Sequence, residues 1–514
     1  MVRQGFPAHW LLLSLGATLL YSATAVAGDL WLEHVTIVSP ERPQPLPNAS
    51  VQIHEDRIVS VSQGTVSRRL KDAEDGEVID GTGLYLAPGL IDSHVHLADV
   101  PGMGPEQEQA HPDLAHATRE QMPRSFLSFG FTTLIDLSST PERMAAWNAH
   151  EIHPDTFFCG GVPVVDGYPT QWTPKPARYY ANPYFVVQAG DPSTLPADID
   201  SAVHSPEAVV SRMKADGAIC VKSYFERGFG ADRNLPVPTL ATMRALVRAA
   251  HAAGLPLLFH ANSSEAQAFG LEAGVDIFAH ALWNWSDAGP ATAVTPGVKK
   301  ILDGVLAAQL GWQPTIQVLY GERDLFDPAL LSNPLLARAL PASLIAWYGT
   351  SEGQWFRDVM MQSALPKAEA QSNDRERQWK AVRSEYATVI ARATNATAYL
   401  AQHDAKFMFG TDTPSGPTYA NPPGLNGWRE MQNLLDAGLT PAQVFQAATL
   451  TNARVMGLSA TLGTVEAGKR ANLLLLREDP SRTIKAYAGI VKVILGGRVL
   501  DPAELAANTR KGVH

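Results

Sequence analysis

Cysteine is almost absent from this chain: its 514 residues contain only Cys159 and Cys220, so at most one disulfide can form. Both lie in apolar strand-like runs, FFCGGVPVV and AICVKSY, and two buried small hydrophobes are expected in preference to a pair. Charge is also scarce: 18% of residues are charged, the formal net charge is −10 and no long basic run occurs. Binding to nucleic acid or an anionic membrane is therefore disfavoured. Long apolar runs are missing except near the start, where Arg3, WLLLSLGATLLYSATAVA and Ala25-Val26-Ala27 read as a secretory signal over residues 1–27. The alternative, an N-terminal anchor, needs a longer apolar stretch. No cysteine follows the cleavage site, which argues against lipid anchoring. The expectation is an exported chain, periplasmic or secreted, without stable membrane insertion after cleavage.

What is present is ample core material, with 45% hydrophobic residues in a length that suits one large domain and a smaller one. Residues 28–87 alternate in short runs such as DLWLEHVTIVS and SVQIHEDRIVSVS, and residues 463–505 do the same in GTVEAGKRANLLLL and GIVKVILGGRVLD. Neither end can bury a face alone, so the two are expected to combine into one composite β-sandwich. Residues 88–462 change to strand, loop, helix, repeated. SPEAVVSRMKADG is a helix with Ser205 as N-cap, and PTLATMRALVRAAHAAG is a second one ending at Gly254. The class is α/β, and about eight such units predict a closed parallel barrel of the (β/α)8 TIM type. Two stretches exceed ordinary connections. Residues 161–200 carry Tyr168, Trp172, Tyr179, Tyr180 and Tyr184 among prolines, and about 318–400 read as an inserted helical lid.

Short apolar runs repeatedly end in a residue able to hold a metal: LAPGLIDSHVHL in His94 and His96, LPLLFHA in His260, VDIFAHA in His280 and KFMFGTD in Asp412. Imidazoles and a carboxylate at the carboxyl ends of parallel strands are what a barrel mouth needs to bind divalent ions. Lys222, ending AICVKSY, is the odd member. A free ammonium beside cations costs several kcal/mol, so the amine must be neutral or modified. A buried neutral amine can take up carbon dioxide and become a carbamate, an anionic ligand able to bridge two ions. The alternative is that Lys222 leaves the barrel or pairs with Glu226.

With PGLIDSHVHL, GFTTLIDL, GAICVKSY, the two strand-end histidines, GTDT and the tail LTPAQVFQAATLTNARVMGL…LGTVEAGKRANLLLL, the chain resembles the amidohydrolase superfamily, in the branch related to prolidases and imidazolonepropionases. The resemblance spans nearly all of the chain after the leader. It implies a distorted (β/α)8 barrel with a composite β-sandwich and one or two divalent metals, usually zinc. It implies that His94, His96 and Asp412 hold the more buried ion, that His260 and His280 hold the more exposed one, and that carboxylated Lys222 bridges them. Family deaminases commonly carry a Glu in an H-x-x-E arrangement; here His260-Ala261-Asn262-Ser263 lacks that acid. The chain departs from the family pattern at Gly427-Trp428-Arg429-Glu430, at Ala471-Asn472 and in the length of the insert.

The implied chemistry is hydrolysis of an amide or peptide bond by a hydroxide bridging two ions, with Asp412 moving the proton to the leaving nitrogen. Tyr224 follows Lys222 by two residues, and Arg227 could clamp a carboxylate or be only a solvated loop charge. With Tyr168 and Trp172 they point to a small molecule with an apolar or aromatic group, such as a dipeptide or N-acyl amino acid. A cyclic amide or lactone, deamination at a single metal, and an inactive ligand-binding relative are the other readings. Self-association into a homo-oligomer is left open.

Overall fold

The computed structural model describes residues 29–64, 76–175, 177–189, 195–229, 234–286 and 289–508; the expected leader lies outside them. Five strands open the described chain: β1 (Leu30–Ile37), β2 (Leu46–His54), β3 (Arg57–Gln63), β4 (Glu77–Asp80) and β5 (Tyr85–Pro88). The barrel strands follow as β6 (Leu90–Val95), β7 (Phe131–Asp136), β8 (Asp155–Val162), β9 (Cys220–Tyr224), β10 (Leu257–His260), β11 (Ile277–Ala279), β12 (Gly311–Gln313) and β13 (Lys406–Phe407). The chain closes with β14 (Leu473–Leu476), β15 (Ile490–Leu495) and β16 (Arg498–Leu500).

Strands β6 to β13 form an eight-stranded sheet in sequence order, parallel at every pairing. Its two ends meet: Val95 bridges Thr413, and the His96 and Asp412 amides donate to Thr413 O and His94 O at 2.8 and 2.7 Å. The fold is a distorted (β/α)8 barrel. Such strands are buried on both faces, which explains why they read as unbroken apolar runs. Period-2 geometry sorts them: Ile91, Ile135, Leu258, Ile277 and Met408 pack together in one cluster, whereas Leu134, Leu257 and Phe259 pack into the larger one. Helix Pro206–Ala215 starts at Ser205, whose side chain accepts from Ala208 N. Helix Leu240–Ala252 is followed by Gly254 in the left-handed region at φ +69°.

The cysteine expectation needs correcting. Cys159 and Cys220 stand directly opposite each other on neighbouring strands β8 and β9, and they are joined as a disulfide with Cα atoms 4.5 Å apart. Strand register brings them together, and no property of either run alone reveals that.

The chain ends do combine. They are hydrogen-bonded as one mostly antiparallel sheet of order β16-β15-β14-β5-β1-β2-β3, with β4 pairing β1. β14 shows why both ends are needed. Leu473 and Leu475 face the core of this sheet with Leu32, Val51 and Ile53, while Leu474 and Leu476 face the barrel core.

The insert is helical, including Gln317–Asp324, Ala342–Tyr348, Trp355–Ala364 and Arg375–Ala401. It is tied to the loop that leaves β6: Tyr348 Oη donates to Pro101 O at 2.5 Å, and Trp355 Nε1 to Gly102 O at 3.0 Å. Among the described residues no helix is long and apolar enough to cross a membrane.

Candidate metal centre

Each site residue reaches the barrel mouth by a local backbone device. On β6 strict alternation from Ile91 would send Ser93 and Val95 inward. The pairing with β7 shifts register between Asp92 and Val95, a bulge that re-aims side chains, and His94 and His96 take the inward places. Lys222 and His260 need no device: each lies two residues beyond an inward residue, Cys220 and Leu258. His280 and Asp412 follow their strands with φ +87° and +58°, left-handed conformations that non-glycine residues rarely adopt. Gly410 makes room for this: a Cβ there would come within 2.7 Å of both His94 Cβ and the Gln313 amide.

These devices bring the four imidazoles, Lys222 and Asp412 together. His94 Nε2 and His96 Nε2 both approach Asp412 Oδ1, at 3.0 and 2.8 Å. The His94 ring lies 5.5 Å from His96 and 5.1 Å from His280, and His280 lies 4.5 Å from His260. His94, His280 and Asp412 each offer a ligand atom within 4.8 Å of the others. Lys222 is buried and its Nζ has no hydrogen-bond partner among the described residues.

The electrostatics suit cation binding. Burial pushes His94 down to about 3, with the Lys222 charge adding to it. Burial also lowers His260 and His280, so these rings are neutral and their lone pairs free to bind. Burial alone would lower His96 too, but the Asp412 carboxylate beside it outweighs that and raises it. Asp412 is desolvated as well, yet His94 and His96 hold its carboxyl well below the usual range. Lys222 is pushed down to about 7 by burial, against a smaller opposing pull from Asp412.

The proposed substrate contacts divide. Tyr168 lies over His260, ring centroids 4.8 Å apart, and touches Tyr224 and Phe229 at 5.7 and 5.8 Å. Tyr224 is buried, and its ring lies 6.2 Å from His260. Arg227 makes a forked guanidinium pair with Glu265, at 2.7 and 3.2 Å, both side chains about half exposed. In this arrangement the guanidinium is engaged by a carboxylate of the protein itself. Trp172 is 68% exposed and makes no ring contact with the site.

Several functional neighbours were not apparent from the sequence. Gln313 Oε1 lies 2.8 Å from His94 Nδ1, and Thr315 Oγ1 lies 2.7 Å from His280 Nδ1. Glu226 does not pair with Lys222; its carboxylate lies 3.5 Å from His260 Nε2. Glu430 accepts from the Ile316 and Gln317 amides at 3.0 and 2.7 Å and so holds the segment that carries Thr315. The polar residues of Gln313-Pro314-Thr315 at a strand end were the one available signal.

The amidohydrolase family matches the chain over residues 85–500. No curated protein matches it in sequence. Among solved structures it is similar to a Xaa-Pro dipeptidase with methionine bound in the active site, at 19% identity and a TM-score of 0.60, covering 92% of this chain and 100% of that one. It is also similar to a prolidase complexed with N-methylphosphonate-L-proline, at 18% identity and TM-score 0.61, over 92% and 99% of the two chains. Phenylurea hydrolase B gives 21% identity and TM-score 0.61, over 93% and 97%. At these identities the likeness is one of fold.

Proposed function

The chain belongs to the amidohydrolase family and is a hydrolase acting on carbon–nitrogen bonds, and from this we propose that it is an exported, binuclear metal-dependent amidohydrolase cleaving the amide or peptide bond of a small substrate, such as a dipeptide or N-acyl amino acid. The observation that carries the binuclear reading is Lys222. Its buried Nζ has no partner among four imidazoles and a carboxylate, and burial holds it near 7, where much of the amine is neutral and able to take up carbon dioxide. His94, His96 and Asp412 fit one divalent ion and His260 and His280 a second, with the Lys222 carbamate between, a nitrogen and oxygen donor set suited to zinc. When bound, such ions supply Lewis acidity and a more acidic water.

The protein's own groups do the rest. Both imidazoles reach Asp412 Oδ1, which leaves Oδ2 to accept a proton and return it to the leaving nitrogen. The phenol of Tyr168 is held protonated by burial and by the Asp412 charge; with Tyr224 and Phe229 it forms an aromatic wall over His260 that favours an apolar or aromatic substituent. The disulfide within the barrel supports an oxidising compartment, in line with the expected leader. The dipeptidase and prolidase likenesses support a carbon–nitrogen bond in a small peptide.

The test is a library of dipeptides and N-acyl amino acids assayed with added zinc and with chelator. Zinc-dependent release of a new amine and carboxylate is expected. Release of ammonia, or turnover untouched by chelator, would sink the proposal.

A further inference from the structure

The four histidines of the site are not held alike: the Nε2 atoms of His94 and His96 face Asp412, a carboxylate that would share their ion. His94 and His280 meet neutral partners, the Gln313 amide and the Thr315 hydroxyl. The carboxylate that faces His260 Nε2, that of Glu226 at 3.5 Å, is outside the ligand set; with no cation to lie between them a proton belongs on that nitrogen, because a lone pair there would be repelled. Glu226 is itself held on both oxygens. Gly228 N donates to Oε1 at 2.9 Å, and Asn262 Nδ2 donates to Oε2 at 3.0 Å. Asn262 Nδ2 also lies 3.4 Å from His260 Nε2, but its shorter contact is with Glu226. The Tyr168 ring packs over the imidazole from above.

We propose that Glu226 is a positioning residue for metal binding: it holds the proton on His260 Nε2, so that His260 presents Nδ1 to the ion it shares with His280. This rests on the metal-dependent reading above. A carboxylate behind a ligating imidazole fixes its tautomer and raises its basicity. Lone charge filling is a poorer explanation, since the desolvated carboxylate has no lysine or arginine partner among the described residues, and its ionic contact is His260. The two ions are then held unequally. The one at His94, His96 and Asp412 is independent of Glu226, and the one at His260 and His280 depends on it.

The test is zinc stoichiometry and affinity, measured by competition with a chromophoric chelator, for the wild-type full chain, Glu226→Gln and Glu226→Asp. Wild type reports on the reading: two ions per chain support it, and fewer overturn it. The variants report on the inference. Glu226→Gln is expected to weaken one ion roughly 10–100-fold and leave the other unchanged, with partial recovery in Glu226→Asp. Wild-type affinity for every bound ion in Glu226→Gln overturns the inference, whatever the wild-type stoichiometry. Thermal unfolding of chelated protein separates a structural role. Positioning predicts equal Tm for wild type and Glu226→Gln without metal and a gap once zinc is added, whereas a gap of the same size in both conditions overturns it.

Discussion

Gln313 determines which nitrogen of His94 carries its proton. Its amide nitrogen donates to Ser93 Oγ at 2.8 Å and to Ser93 O at 3.2 Å, which turns Oε1 toward His94 Nδ1 at 2.8 Å. That oxygen can only accept, so Nδ1 is the protonated nitrogen and Nε2, facing Asp412, has the lone pair. The Thr315 hydroxyl, which can donate or accept, stands behind His280 Nδ1 at 2.7 Å. One short segment after β12 therefore orients two histidines from strands β6 and β11.

Replacing Gln313 with Leu keeps its bulk and removes the acceptor. The expected result is a loss of roughly 10–100-fold in zinc affinity, read by chelator competition, with kcat at saturating zinc recovering most of its value. Unchanged affinity would mean that packing alone orients His94.

Asp412→Asn should retain metal, because an amide oxygen still faces His94 and His96, yet it can take no proton. Turnover is expected to fall about 10²–10⁴-fold with metal content near wild type. A rate near wild type would remove Asp412 from the proton path.

The barrel, its strand order and the six mouth residues are legible in the sequence, because doubly buried strands are apolar runs and the residue ending each run stands out. Caps such as Ser205 are legible for a similar reason: a hydroxyl before a helix has one common use. What stays hidden depends on register between strands. Cys159 and Cys220 meet only because β8 and β9 align them, and Glu226 reaches His260 only across the β9–β10 pair. The Arg227–Glu265 pair is hidden for the same reason, since it joins residues that follow β9 and β10.

The Arg227 pair carries a prediction of small effect. The pair with Glu265 is about half exposed, and such pairs contribute at most about 1 kcal/mol. Arg227→Ala should leave kcat/KM unchanged for any substrate found. A large rise in KM confined to substrates with a free carboxylate would restore the clamp.

The disulfide closes a loop with a sequence separation of 61. Thiol titration in denaturant should detect none without reductant and both after reduction. Cys159→Ala with Cys220→Ala should cost about 2–4 kcal/mol in denaturant unfolding. Two titratable thiols in the exported, unreduced protein would show that the bridge does not form.

Glu322 supplies a pH signature away from the metal ligands. It lies on helix Gln317–Asp324 of the helical insert, and burial pushes its carboxyl up to about 7, against a hydrogen bond with Tyr386 and with the Asp412 charge adding to the rise. The ordinary value in the unfolded chain is 4.5. Between those values the folded state binds more protons, so the Glu322 contribution to stability falls as pH rises, and the cost is complete above about 7. Glu322→Gln removes the titration while keeping the shape. In chelated protein the variant is therefore expected to gain on wild type as pH rises from 5 to 8, by on the order of 1–2 kcal/mol in denaturant unfolding. Parallel stability curves across that range would show that Glu322 titrates as it does in water, and that the helical insert leaves it solvated.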